Sequence, residues 1–185
     1  MTTGFLHIIS GSMFSGKTST LINLYNQFQP SVLVFNHSYD TRYDSNNNSV
    51  TTHDQIKIPC NSILCVSDIL RHPNFQSTKF IMIDEIQFFT NIKTHVLQLV
   101  ERYNKYVVLS GLMIDINRNP FGELAELVPL SDRFDHKLSR CFYCDTEGLF
   151  TIKKNADCVE IIDVGSSDKY YAVCRYHYLN KNEII

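Results

Sequence analysis

The sequence predicts an α/β fold, a mainly parallel sheet with helices, followed by a small C-terminal zinc-binding β subdomain. Three observations predict it. Short apolar runs alternate with longer helical patterns over the first two-thirds of the chain. A glycine-rich turn joins the first apolar run to the first helical pattern. Near the end, Cys141-x-x-Cys144 and Cys174-x-x-His177 form two pairs at metal-ligand spacing. The change of character near Leu138 divides the chain into residues 1–137, a nucleotide-binding domain, and 138–185, a metal-stapled unit too short to rely on its own core.

The elements follow in order. Phe5 to Ser10 is a short, mostly apolar run that stops at Gly11, as a buried strand does. From Lys17 to Phe28 the residues Leu21, Leu24, Tyr25 and Phe28 recur at helical spacing, and Pro30 closes the segment. Ser31 to Phe35 is a second strand. Asp40 to Gln55 is polar, with Asn46, Asn47 and Asn48 in a row, and is expected to be a mobile loop. A short helix is expected over Ser67 to Arg71, ended by Pro73. Phe80 to Asp84 reads as a third strand, Thr90 to Tyr103 as a helix and Tyr106 to Leu109 as a fourth strand. Beyond Leu138, Leu149 to Lys153 and Cys158 to Asp163 alternate as strands do, and a Gly-Ser-Ser turn follows.

Composition bounds the function classes. The chain has 185 residues, of which 44% are hydrophobic and 19% charged, which excludes a disordered or collagen-like chain. A formal net charge of −2 leaves no polycationic footprint for wrapping nucleic acid. No apolar run approaches the ~18 residues of a membrane helix. The start, Met1 to Phe5, lacks the basic region of a cleaved leader, so the expectation is a soluble, cytoplasmic protein with no membrane partner. Of six cysteines, Cys60, Cys65 and Cys158 fall outside the ligand pattern and read as buried or neutral thiols.

Gly11-Ser12-Met13-Phe14-Ser15-Gly16-Lys17-Thr18 fits G-x-x-x-x-G-K-[ST], a pattern that arises by chance on the order of once per hundred chains of this length. Its glycines let backbone amides wrap phosphate oxygens at a helix start. Lys17 is expected to reach the β- and γ-phosphates, and the Thr18 hydroxyl to hold Mg²⁺. The fold is thus P-loop NTPase-like. Asp84-Glu85 ends an apolar strand, where an aspartate can hold the Mg²⁺ shell and the next carboxylate can take a proton from an attacking hydroxyl or water. Cys141, Cys144, Cys174 and His177 supply three thiolates and one imidazole. Four protein ligands with no open position describe a structural tetrahedral Zn²⁺ site rather than a catalytic one.

Taken together, the P-loop, Asp40-Thr41-Arg42-Tyr43, Thr52-His53-Asp54, Asp84-Glu85-Ile86-Gln87-Phe88-Phe89, Asn119-Pro120-Phe121-Gly122, Leu127-Val128-Pro129-Leu130 and the Cys/Cys/Cys/His set resemble the type II thymidine kinases. The likeness runs in order from about Phe5 to Tyr178. It implies phosphoryl transfer from ATP to the 5′-hydroxyl of thymidine, giving dTMP and ADP, with Mg²⁺ and a structural Zn²⁺. Glu85 matches the family's general base and Asp84 its Mg²⁺-linked carboxylate. Asp40, Arg42 and Gln87 match residues on the nucleotide side. Residues between the cysteine pairs match a "lasso" that closes over the nucleoside, here Val159, Glu160, Ile161, Ile162 and Asp163, with Tyr170 lining the pocket. Met13, Leu112, Ile116 and Phe121 match positions around the thymine. A homotetramer and feedback inhibition by dTTP are further properties that the resemblance implies.

Three positions depart from the family pattern. Gly111-Leu112-Met113 lacks the acid usual after the fourth strand. Ile116 stands where an aromatic packs on the thymine, which forgoes about 0.5–1.5 kcal/mol of ring stacking. Ile161 to Asp168 is longer than the usual turn. Two other classes of function fit parts of the sequence. One is a P-loop ATPase whose zinc ribbon binds nucleic acid or protein, although the acids of the ribbon offset its lysines. The other is a nucleotide sensor without turnover, which the intact Asp84-Glu85 disfavours.

Overall fold

A computed structural model describes residues 3–38, 49–51, 56–154 and 169–181. In chain order the elements are β1 (Phe5–Gly11), α1 (Lys17–Phe28), β2 (Val32–His37), β3 (Ser49–Thr51), β4 (Lys57–Pro59), β5 (Asn61–Ile63), β6 (Phe80–Ile83), α2 (Ile92–Leu97), β7 (Tyr106–Gly111), α3 (Leu124–Leu127) and β8 (Arg133–Lys137). After them come β9 (Ser139–Arg140), β10 (Glu147–Gly148), β11 (Phe150–Lys153), β12 (Tyr170–Val173) and α4 (Arg175–Leu179). Six strands form one sheet in the order β5-β2-β6-β7-β1-β8, and every pairing in it is parallel. The expected fold class is the observed one.

A parallel sheet is covered on both faces, so its strands read as continuous apolar runs. Leu6 and Ile8 face one core layer with Ile81, Ile83, Val107 and Leu109, under Ile92, Val96 and Leu99 of the α2 region. Ile9 faces the other with Val34, Met82 and Val108, under Leu21 and Ile22 of α1. Met113, the residue in place of the family's acid, packs against the first of these layers. An apolar side chain there adds to the core what an acid would have spent on hydration.

Several elements differ from expectation. The loop expected over 40–55 holds β3, which pairs antiparallel with β4 and buries Val50 beside Ile58 and Cys60. One apolar residue among polar neighbours gives no periodic signal, so the strand is invisible until its partner is known. The rest of that loop lies outside the described residues, as do Thr52-His53-Asp54, Cys158 and the strand expected at 158–163. The expected helix from Thr90 is α-helical only over α2 and continues as a π turn over Gln98–Arg102.

The edge strand β8 was not expected, because Arg133, Phe134 and His136 are exposed and no apolar run marks it. It pairs in parallel with β1 over Arg133–Lys137, and long-range polar contacts add to that ladder. Asp132 Oδ2 accepts the Leu6 N–H at 2.7 Å, and His7 Nε2 meets Asp135 Oδ2 at 2.9 Å. Burial lowers the His7 imidazole below its ordinary value, against the raising effect of Asp135. Among the described residues, no helix is long and apolar enough to cross a membrane.

Candidate functional site

Parallel strands share a direction, so their C-terminal ends lie along one edge of the sheet, where α/β proteins bind ligands. In the order β6-β7-β1, the P-loop leaves β1 and Asp84-Glu85 leave β6, with β7 between them. Two strand spacings separate them, about 10 Å. That span suits a nucleotide phosphate chain lying between a phosphate loop and a carboxylate pair.

The P-loop is built by backbone. Phe14 and Gly16 both have left-handed φ, 63° and 78°, which turns successive amides toward one concavity at the start of α1. Gly16 caps α1 with no side-chain hydrogen bond, so the first-turn amides keep their capacity for an anion. The opening glycine answers a different demand. A Cβ on Gly11 would lie 1.8 Å from the Lys137 carbonyl oxygen, so the edge strand β8 fixes that residue. Lys17 Nζ donates to the carbonyls of Ser12 and Gly11, at 2.8 and 3.2 Å, which parks the ammonium at the mouth of the loop. Thr18 follows it, half-buried in the first turn of α1. The Ser15 hydroxyl is buried with no hydrogen-bond partner among the described residues.

Asp84 is buried and its N–H donates to the Phe35 carbonyl at 2.9 Å, which anchors the end of β6 to β2. The chain then turns sharply. Glu85 sits at φ 50°, ψ 43°, a left-handed conformation that costs a non-glycine residue about 1–3 kcal/mol and persists where its surroundings impose it. The bend frees Glu85 from the strand and leaves its side chain half-buried at the sheet edge. Gln87 Nε2 donates to Glu85 Oε2 at 2.5 Å, and Gln87 Oε1 accepts the Leu112 N–H at 3.0 Å.

The segment from Leu112 to Phe121 is a self-bonded turn. Phe121 N–H donates to the Met113 carbonyl, Ile114 bridges Pro120, and Asp115 Oδ1 accepts the N–H groups of Asn117 and Asn119, both at 2.8 Å. Leu112, Ile116 and Phe121 are each half-buried along it. The Phe121 ring meets Phe88 edge-on at 5.7 Å, so Phe88 joins this apolar group. Phe88 stands in a recognisable motif, but nothing local in the sequence links it to Phe121, 33 positions on. Glu123, just beyond, caps α2 through both carboxylate oxygens, to Asn91 N and Ile92 N at 2.8 and 2.9 Å. A cap supplied from 31 residues away leaves no local signal either.

Cys141, Cys144, Cys174 and His177 converge, with all four donor atoms within 4.8 Å of one another. A tetrahedral Zn²⁺ with ~2.3 Å Zn–S and ~2.0–2.1 Å Zn–N bonds requires S···S edges of about 3.8 Å and S···N edges of about 3.6 Å. Here Cys144 and Cys174 Sγ lie 3.9 Å apart, and His177 Nδ1 lies 3.4, 3.6 and 3.3 Å from the sulfurs of Cys141, Cys144 and Cys174. The donor set fits the metal. Burial would raise the Cys174 thiol, but hydrogen bonds from the His177 backbone and neighbouring side chains bring it down to about 6, toward the thiolate a metal binds.

Among the described residues, the strands and helix around these ligands bond to the P-loop and to the 112–121 turn. Ser12 Oγ donates to the Gly148 carbonyl at 2.6 Å, and Met13 N–H points to Thr151 Oγ1 at 3.4 Å. Tyr178 of α4 donates its hydroxyl to the Ile116 carbonyl at 2.9 Å, with Arg118 stacked on its ring. Tyr170 is buried on β12. Asp40, Arg42, Val159, Glu160, Ile161, Ile162 and Asp163 lie outside the described residues.

The sequence profile of the thymidine kinase family matches residues 4–178. Thymidine kinase a of Arabidopsis thaliana is 33% identical over 192 residues, spanning 98% of this chain and 78% of its own. The thymidine kinase of Choristoneura biennis entomopoxvirus is 32% identical over 185 residues, 97% of this chain and 98% of its own. That of Rabbit fibroma virus is 34% identical over 179 residues, 95% and 96%.

Proposed function

The chain belongs to the thymidine kinase family and is a phosphotransferase that phosphorylates thymidine with ATP, and on that premise we propose how its own residues divide the work. The observation that carries the proposal is the common sheet edge: P-loop, Asp84-Glu85 and Leu112 at the ends of three neighbouring parallel strands.

ATP lays its phosphates in the concavity formed by Gly11, Ser12, Met13, Phe14, Ser15 and Gly16. Lys17 leaves its carbonyl rests to meet the β- and γ-oxygens. Thr18 and Asp84 are the residues that would hold Mg²⁺, which when bound would supply neutralisation of phosphate charge. Thymidine places its base against Met13, Leu112, Ile116, Phe121 and Tyr170, and the 159–163 segment closes over it. Its 5′-oxygen attacks the γ-phosphorus, the new O–P bond forms as the bridging P–O bond to ADP breaks, and the hydroxyl proton passes to Glu85. Asp40 and Arg42 belong to the phosphate side, where the Arg42 guanidinium offsets charge on the equatorial oxygens. Gln87, which the resemblance puts on the nucleotide side, has its carboxamide held between Glu85 and the Leu112 N–H.

Cys141, Cys144, Cys174 and His177 would hold zinc, which when bound would clamp together the two ends of the 145–173 arm. The division at 137/138 is proposed as the boundary between the nucleotide-binding part and this lasso part. A cytoplasmic homotetramer inhibited by dTTP, with no nucleic-acid or membrane partner, completes the proposal.

The test is ADP release measured with ATP and Mg²⁺ alone, then with each of the four natural deoxynucleosides. Rapid release is expected only with a pyrimidine nucleoside, and fastest with thymidine. ADP release that ignores the nucleoside would mean that Glu85 activates water and the kinase assignment of the site is wrong.

Removing zinc is expected to act on both substrates. Metal-binding free energy in a small ribbon serves as folding free energy, and this ribbon touches the P-loop through Gly148 and Thr151 and the 112–121 turn through Tyr178. Chelation or Cys174→Ser should therefore raise KM for ATP as well as for thymidine. Active protein carrying well under one zinc per chain, by elemental measurement, would overturn this.

A further inference from the structure

We propose that Gln87 is a positioning residue that ties the base Glu85 to the root of the nucleoside-binding turn, so that the base is set in place by the segment that receives the substrate. The inference rests on the reading of Glu85 as the base and adds a residue that acts through it.

Gln87 is 4% exposed, and both ends of its carboxamide are engaged. The Leu112 N–H can only donate, so it takes Oε1; the Glu85 carboxylate can only accept, so it takes Nε2. The pairing fixes the amide orientation and accounts for the residue type. Glutamate would set a second carboxylate against Glu85, and methionine would serve neither neighbour.

The end of β7 is shaped around this amide. A Cβ on Gly111 would lie 2.4 Å from Gln87 Oε1 and 2.8 Å from Ile86 Cγ2, so any side chain there would push the carboxamide away. On the other side, the left-handed bend at Glu85 ends the extended chain, so the side chains of Glu85 and Gln87 can meet two residues apart.

The consequence is mechanical. Held through Oε2, Glu85 loses rotamers that would aim it away from the 5′-hydroxyl. Its anchor is Leu112, the first residue of a turn that is braced internally by Asp115 and externally by Tyr178 on the Ile116 carbonyl. A thymine that seats against Leu112 thus presses on the same hydrogen-bonded chain that aims the base.

The experiment compares kcat, KM for ATP and KM for thymidine in Gln87→Met and Gln87→Glu, each made in the natural chain and in Glu85→Gln, with zinc content and thermal unfolding as checks on folding. Gln87→Met should lower kcat about 10- to 100-fold, on the order of what misplacing a reacting group by about 1 Å costs. KM for ATP should stay within about twofold, since the lost interaction belongs to the transition state.

In the Glu85→Gln background the same change should cost less than about threefold, because the group it positions is gone. Gln87→Glu keeps an acceptor for the Leu112 N–H but repels Glu85. It should lose kcat as Gln87→Met does while holding KM for thymidine nearer the natural value. Should Gln87→Met fail to fold, Gln87→Glu decides alone, and full kcat there overturns the proposal.

An equal loss in both backgrounds makes Gln87 merely structural. A raised KM for ATP with kcat kept makes it a nucleotide contact. Glu85→Gln with undiminished kcat removes the base and this inference together, whereas a crippled Glu85→Gln beside a normal Gln87→Met removes the inference alone.

Discussion

Glu85→Gln is expected to lower kcat by about 10²- to 10⁴-fold, the usual contribution of a general base, with both KM values nearly unchanged. The amide is close to isosteric with the carboxylate, and its oxygen can still accept the Gln87 N–H. The left-handed backbone at residue 85 is no harder for glutamine than for glutamate. Packing and substrate binding therefore survive, and what disappears is basicity at the moment the 5′-oxygen attacks. The loss corresponds to about 3–5.5 kcal/mol of barrier. A kcat change below about tenfold with chemistry rate-limiting would show that another group takes the proton.

Lys17→Met is expected to remove thymidine phosphorylation, by at least the ~10²–10³-fold that follows loss of one charge-stabilising donor, and to raise KM for ATP. Methionine matches the length of the lysine stem but brings no charge to the γ-phosphate. It also leaves the Ser12 and Gly11 carbonyls without the ammonium that now caps them, so the loop loses part of its own bracing. Near-normal turnover at saturating ATP would overturn the assignment of Lys17 to the phosphates.

What could be read without the structure were features carried by neighbouring residues. The P-loop is eight consecutive positions, and α1 runs from Lys17 to Phe28 as its periodicity predicts. Asp84-Glu85 follows an apolar run that could only be a buried strand. The cysteine pairs each lie within one turn of chain, and three thiols with one imidazole make a donor set suited to zinc. Parallel order followed from the alternation of strands with helices, since parallel strands need crossover connections.

The sequence by itself therefore determined the fold class, the glycine turn between β1 and α1, the strand end that carries Asp84-Glu85 and the residues of the Cys/Cys/Cys/His group, because each of these is encoded by local spacing that survives without a partner. Only the tertiary structure decided that β8 closes the sheet edge, since its hold on β1 is a backbone ladder with Asp132 and Asp135 beside it rather than an apolar face. It decided likewise that Gly11 answers to Lys137 and Gly111 to Gln87, that Glu123 caps a helix 31 residues back, and that the zinc unit braces both the P-loop and the Ile116 turn. These are hydrogen bonds and close approaches between residues distant in the chain. A polar side chain looks the same in sequence whether it faces water or a buried partner, and only folding selects between them.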